Sequence, residues 1–213
     1  MLGVGVSAQQ HGMVALDSAG APVHDALLWN DVRSAPQARA MVEELGISGW
    51  VEATGSAPVT SITLTKLAWL RENAPEAAAR VERVGLPHDW LVSELTGGAW
   101  ITDRSEASGS GWFDPASGSI REDLLERWFG AAPQVPEVLA PHASAGTITS
   151  DWLPNSPGAV VSAGCGDNAG GGLGLGIGHG DVVVSVGTSG TVFAHSPHPV
   201  SYTHLTLPTT PYV

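Results

Sequence analysis

The sequence predicts an α/β fold in which short buried strands alternate with amphipathic helices. Three observations carry that reading. Brief apolar runs that end in small or glycine-rich segments stand near both ends of the chain, at residues 2–7 and 159–163. Between them apolar side chains recur at helical spacing, most clearly Leu64, Leu67, Ala68 and Leu70. Finally, the 213 residues are 43% hydrophobic, enough for a real core, and 27 Gly with 15 Pro imply many turns.

The elements follow in order. Residues 2–7 suit a strand buried on both faces. Residues 13–16 and 22–29 read as two further strands around the turn Asp17-Ser18-Ala19-Gly20. Ser34 is placed to cap a helix that runs to Leu45, with Gly46 as a left-handed stop. Helices are expected over 63–73, over 75–83, and from Asp89, as N-cap, to Leu95, the last closed by Gly97-Gly98. The block 102–111 is small and polar, and residues 121–129 set Leu124, Leu125, Trp128 and Phe129 on one helical face before Gly130. A buried strand over 159–163 leads into Gly164-Cys165-Gly166-Asp167-Asn168. Residues 170–176 hold too many glycines for a strong helix, at nearly 1 kcal/mol each relative to alanine. Two strands, 182–186 and 191–194, flank the turn Gly187-Thr188-Ser189-Gly190.

Charge excludes some functions. Nine Lys and Arg against 21 Asp and Glu give a net charge of −12, which disfavours nucleic acid and anionic membrane as partners. The single cysteine, Cys165, leaves no disulfide, zinc ribbon or CxxC pair and fits a reducing cytoplasm. Nowhere do 18 apolar residues run together, so no membrane span is expected. Lys66 is the only lysine, and on a helix beside Leu67 it reads as a structural or surface residue.

The strongest local candidate is Gly164-Cys165-Gly166-Asp167-Asn168-Ala169 at the end of a strand. As Gly-x-Gly-x-x-Ala it matches a weak dinucleotide fingerprint. Against that reading, the acid expected about 20 residues on is missing, and an acid within a phosphate loop repels pyrophosphate. Asp167 makes better sense as a general base at a strand-to-helix turn, with the plain alternative that it caps the next helix. No metal-ligating cluster stands out; His195 and His198 flank a proline and read as surface residues.

One stretch is more specific. Ser61-x-Thr63-x-x-Lys66-Leu67-x-Trp69-Leu70-x-Glu72-Asn73 fits, position by position, the first signature of the FGGY carbohydrate kinases. Gln9-Gln10-His11-Gly12, Trp29-Asn30-Asp31-x-Arg33, Thr102-Asp103-x-Ser105-x-Ala107-Ser108, the Asp167 turn and Val186-Gly187-Thr188-Ser189-Gly190 follow in that family's order. The chain from 1 to about 199 therefore resembles this family, and Gln10-His11-Gly12 resembles its members that act on xylulose.

The resemblance implies an actin-like, ribonuclease-H-like sugar kinase fold: an incomplete N-terminal, sugar-binding domain over 1–178 and the first hairpin of a C-terminal, ATP-binding domain over 179–199. Residues 200–213 carry no charge and read as a non-native tail. The implied activity of the parent enzyme is ATP-dependent phosphorylation of D-xylulose to D-xylulose 5-phosphate, with Mg2+, in the cytoplasm; the fragment alone is expected to be inactive. Asp167 is implied as the catalytic base, Gln10, His11 and Asn168 as sugar ligands, and Gly187, Thr188 and Ser189 as ATP ligands. A homodimer of the full-length parent is compatible with this reading. Another FGGY sugar or polyol kinase and a non-catalytic sugar-binding fragment remain the alternatives.

Overall fold

In the computed structural model, which describes residues 3–186 and 190–196, the first apolar run is split into two short strands, β1 (Gly3–Val4) and β2 (Ser7–Ala8). A third strand, β3 (Val14–Leu16), is fully buried. The expected strand over 22–29 is reduced to two isolated bridges, Leu16 to Pro22 and Met13 to Leu27. Leu28 and Trp29 then run out into solvent.

Helix α1 (Ala35–Thr54) is two helices joined at Gly46, whose φ of 73° and ψ of 160° leave the helical region. Gly46 thus breaks the helix as expected, but the chain resumes it. Trp50 accounts for this: it is buried, and its indole Nε1 donates to the Met41 carbonyl at 2.6 Å, clipping the second half to the first. Ser34 sits at the N-cap position without capping, because its hydroxyl is engaged by the Thr60 carbonyl and Thr65 Oγ1.

Helix α2 (Thr63–Asn73) is central, with Leu64, Leu67 and Leu70 wholly buried in the larger core. Lys66 is buried with them; its Nζ donates to the Thr60 carbonyl at 3.0 Å and to that of Ser61. Burial pulls its ammonium down to about 7. Of the two roles allowed for it, structural and surface, the structural one holds.

The expected helix over 75–83 shortens to α3 (Pro75–Ala78), because Arg83 belongs to the next strand, β4 (Arg83–Gly85), which pairs antiparallel with β3. Pairing and the burial of Val84 outweigh local helix propensity there. Helix α4 (Pro87–Thr96) starts earlier than expected. Asp89 is not its N-cap but its third residue, reaching back to accept the Leu86 N–H at 2.7 Å.

The polar block 102–111 holds strand β5 (Ile101–Asp103) and the one-turn helix α5 (Arg104–Ser108). After the small hairpin β6 (Phe113–Asp114) and β7 (Ser119–Ile120), helix α6 (Glu122–Phe129) packs Leu124, Leu125 and Phe129 on the larger core. Strand β8 (Glu137–Leu139) pairs parallel with β5, and β9 (Ser144–Thr147) pairs antiparallel with β10 (Val160–Ser162). Strand β10 also pairs parallel with β1. A second core of Val6, Val92, Leu95, Ile101, Ile148 and Val161 lies between these strands and α4.

Strand β11 (Cys165–Gly166) pairs parallel with β2, and α7 (Asp167–Leu175) follows without a break. The glycine-rich segment thus is helical after all. A hairpin of β12 (Val182–Val186) and β13 (Gly190–Ala194) completes the described chain. No helix among the described residues is long and apolar enough to cross a membrane.

Because Leu67 is fully enclosed, Leu67→Ala is expected to lower unfolding stability by about 2–5 kcal/mol, measured by chemical denaturation. Arg127→Ala, which removes an exposed ion pair with Glu44, is expected to leave the denaturation midpoint unchanged.

Candidate active site

The parallel pairing of Ser7 with Cys165 and Ala8 with Gly166 sends two turns out of the same sheet edge. One carries Gln10 and His11; the other carries Asp167 and Asn168. Gln10 packs so closely on the second turn that a Cβ on Gly166 would lie 2.9 Å from its Cγ. Asp167 is the first residue of α7, exposed, with Oδ1 accepting the Asn168 N–H at 2.8 Å. It caps nothing deeper in the helix, so the carboxylate remains available to the cleft.

Helix α5 braces both turns. The Gln10 amide donates to the Ser105 carbonyl, and the Gly166 N–H donates to Ser105 Oγ at 2.8 Å. Ser105 Oγ in turn donates to Asp103, whose carboxylate caps α5 by accepting the N–H groups of Ser105 and Glu106. His11 Nδ1 lies 3.0 Å from the Gly109 carbonyl just past the helix. A carbonyl only accepts, so Nδ1 carries the proton; burial lowers the ring's pKa, which leaves Nε2 as an acceptor. His11 is also the one described non-glycine residue with positive φ, 69°, a conformation fixed by this anchoring.

Behind the turns lies buried charge that sequence reasoning missed. His88 Nδ1 and Asp89 Oδ1 are 3.0 Å apart, both side chains fully buried. Burial raises the pKa of Asp89. Glu106 is also fully buried, and neither of its oxygens has a hydrogen-bond partner among the described residues. Burial first, then Asp89, Asp103 and Asp167, push its carboxyl up to about 9. The Asp103-x-x-Glu106 spacing was a visible signal of a helix start, although Glu106 does not reach back to complete a capping box.

Gly164 fixes the turn itself. Its φ is +78°, and a Cβ there would stand 2.2 Å from His88 Nε2 and 2.6 Å from the Val6 carbonyl oxygen. Only glycine fits.

A cavity of about 740 Å³ opens between α7 and the hairpin, with Gln10, Ser105 and Asn168 at its polar end and Leu173, Ile177 and Phe193 along its wall. A smaller one, about 280 Å³, is lined by Asp167, Asn168 and Ser185. His195, read as a surface histidine, is exposed but also borders the larger cavity. Cys165 is a free, half-buried thiol beside the turn. Asp31 and Arg33 form a loop ion pair at 2.9 Å. Gly187, Thr188, Ser189, His198 and the 200–213 tail lie outside the described residues. The two turns thus lie side by side, with Gln10 and Asn168 on the larger cavity, Asp167 and Asn168 on the smaller, and His11 lining neither.

Polar turns and a carboxylate at the carboxyl ends of adjacent parallel strands are where α/β folds bind their ligands. Residues 1–174 match the model of the FGGY family of carbohydrate kinases, N-terminal domain, and the chain belongs to that family. It is 50% identical to a xylulose kinase of Streptomyces coelicolor over 195 residues, 91% of this chain and 40% of that protein. It is 34% identical to one from Haemophilus influenzae over 209 residues, 93% of this chain and 42% of that protein. The chain thus spans about 40% of the length of these curated relatives.

Among solved structures, xylulose kinase from Bifidobacterium adolescentis superposes with a TM-score of 0.83 at 39% identity, covering 90% of this chain and 46% of that one. Glycerol kinase from Plasmodium falciparum with ADP shares the fold, with a TM-score of 0.81 at 21% identity, covering 88% of this chain and 38% of that one. The α/β fold is therefore the actin-like, ribonuclease-H-like one that the resemblance implied.

Gly164→Ala is expected to cost about 2–4 kcal/mol of stability through left-handed strain and overlap with the Val6 carbonyl. Gly171→Ala, in α7 with nothing within 4 Å, is expected to stabilise by about 0.5–1 kcal/mol, both read by denaturant titration. Glu106 keeps its proton in the folded state up to about 9, whereas the unfolded chain loses it near 4.5. The native state then binds more protons, so stability falls as pH rises through that window, by at most about 1.4 kcal/mol per unit. Glu106→Gln should remove this slope. The comparison is cleanest below about 7, where Lys66 is protonated in both states.

Proposed function

We propose that the longer protein to which this chain corresponds transfers the γ-phosphoryl group of ATP to the primary C5 hydroxyl of D-xylulose. One observation carries the proposal: the β2–β11 pairing brings the turn of Gln10 and His11 out beside the turn of Asp167 and Asn168, with Gln10 and Asn168 on the larger cavity and Asp167 and Asn168 on the smaller one. The xylulose kinases similar over most of this chain support the choice of sugar.

The chemistry asked of these residues is modest. A sugar offers hydroxyls and one carbonyl, so its site needs paired donors and acceptors. Asn168 supplies an amide, and His11 Nε2 accepts from a hydroxyl while Nδ1 is tied to Gly109. Gln10, with its nitrogen held by the Ser105 carbonyl, presents its amide oxygen as an acceptor. The Asp167 carboxylate takes the hydroxyl proton as that oxygen forms a bond to the γ-phosphorus and the bond to ADP breaks. Positioning and charge stabilisation supply most of the rate in such transfers.

ATP is the donor in this reading, held by Gly187, Thr188 and Ser189 as the opening turn of an ATP-binding domain that starts near residue 179. The Mg2+ that accompanies ATP is part of this reading, since such an ion is held in the main by the nucleotide's phosphates and water with one or two carboxylates. A cytoplasmic setting belongs to the same reading.

In the full-length protein Asp167→Asn is expected to lower D-xylulose-dependent ADP release by roughly 10²–10⁴-fold while leaving sugar affinity near wild type. A coupled ADP assay beside calorimetric sugar titration measures both. Retained turnover would remove Asp167 as the base.

A further inference from the structure

We propose that Glu106 is a positioning residue, which seats α5 against Gln10, His11 and the Asp167 turn from the buried side of the site. The inference rests on the reading of those residues as the sugar site and extends it to an acid that touches no substrate.

Placement is the first argument. Each brace on the site leaves α5 or the residue just beyond it: the Ser105 carbonyl to Gln10, Ser105 Oγ to the Gly166 N–H, and the Gly109 carbonyl to His11. Glu106 lies between Ser105 and Gly109 in the same single turn, with its side chain fully enclosed. A turn this short has little internal hydrogen bonding of its own, so its seating depends on what its buried face meets.

The second argument is what that face meets. Three carboxylates look at Glu106: Asp89 from α4, Asp103 from the end of β5, and Asp167 from α7. His88, paired with Asp89, lies on the same α4 turn. Other elements packed on α5 add no compensating cation. Asp114 of β6 is bonded into its own turn, Glu137 of β8 is exposed, and β11 offers only the Cys165 thiol. An ionised Glu106 would add a negative charge to a buried cluster of carboxyl groups. As a neutral acid it fills that space and lets α5 stay closed. Its two oxygens, free of partners, show that no built hydrogen bond fixes a negative charge in place.

The consequence is an alkaline limit on the sugar site. As pH rises through about 9 the Glu106 carboxyl ionises, α5 is pushed from the Asp89–Asp103 side, and the braces on Gln10, His11 and Gly166 loosen together. Glutamine has the size and neutrality of the protonated acid and cannot ionise. The side chain is therefore replaceable by its neutral isostere at neutral pH and distinguishable from it only in alkali.

The full-length protein and its Glu106→Gln and Glu106→Ala variants test this. In the ADP-release assay, wild type and Glu106→Gln should share the same KM for D-xylulose near neutral pH. Above about 9 the wild-type KM should rise roughly tenfold while that of Glu106→Gln does not. Glu106→Ala should show the raised KM at every pH. Hydrogen exchange of the 164–169 segment, corrected for intrinsic base catalysis, reads the seating without any sugar. It should quicken in alkaline wild type and remain protected in Glu106→Gln. An identical alkaline rise in KM for wild type and Glu106→Gln, or equal exchange of that segment in both, would overturn the proposal. Absence of any D-xylulose-dependent ADP release would instead overturn the kinase reading, and the exchange comparison would then decide the role of Glu106 by itself.

Discussion

The site hangs on two rungs of parallel strand pairing. Ser7 with Cys165 and Ala8 with Gly166 join the beginning of the chain to a segment near its other end, and no other contact fixes Gln10 and His11 beside Asp167 so directly. So short a pair has little stability of its own. It is held from both sides: Val6 and Val161 anchor the preceding residues in the second core, and Ser105 Oγ takes up the Gly166 N–H that the ladder leaves over. The left-handed turn at Gly164, pressed between His88 and the Val6 carbonyl, then sets the direction in which Asp167 leaves the sheet.

That arrangement explains why so much polar material is buried behind the site. Backbone that bends sharply at 164–167 cannot satisfy itself with ladder bonds alone, so Ser162 Oγ takes the Gly164 N–H and Ser105 Oγ that of Gly166. Asp89 caps α4, Asp103 caps α5, and Ser105 links α5 to the turn. The same crowding places Asp89, Asp103 and Glu106 near one another; burial raises the pKa of Asp89 and, with its acidic neighbours, pushes that of Glu106 up to about 9. Lys66 does not relieve it. The one lysine spends its charge on the carbonyls of Thr60 and Ser61 at the entry to α2, tying the loop before that helix to the larger core.

Much of this was legible in the sequence, and the failures have physical causes. Leu64, Leu67 and Leu70 announced α2 because their spacing is a property of the helix itself. The strand-to-turn step before Asp167 was legible because an apolar run, 159–163, ends there in Gly164-Cys165-Gly166. Helix α3 was overextended because Arg83 belongs to a strand whose partner lies in β3, a contact that no local pattern records. Asp89 was misplaced by three positions since a capping box and an N-cap use the same residue types. Glu106 escaped notice because its burial follows from α5 packing against β5 and β11, while in the sequence it is one more acid among 21.

Helix α7 exposes the remaining tension. On propensity alone Asp167–Leu175 should not be helical, and only Gly172 among its residues is buried. Gly170 and Gly172 stand where a side chain would meet its neighbours at close range. A Cβ at Gly170 would lie 2.5 Å from Ser7 Oγ, and one at Gly172 would press on Ile177 at 3.1 Å and Phe193 at 3.5 Å. The helix therefore exists because β2 and the hairpin accept it at short range, not because its sequence favours it. An element held this way is among the first to open locally. Asp167 thus starts a helix that is weak in itself but sits on a turn that α5 and Gly164 hold firmly. For the base proposed above, this combination preserves the orientation of the carboxylate while the wall beyond it is free to move.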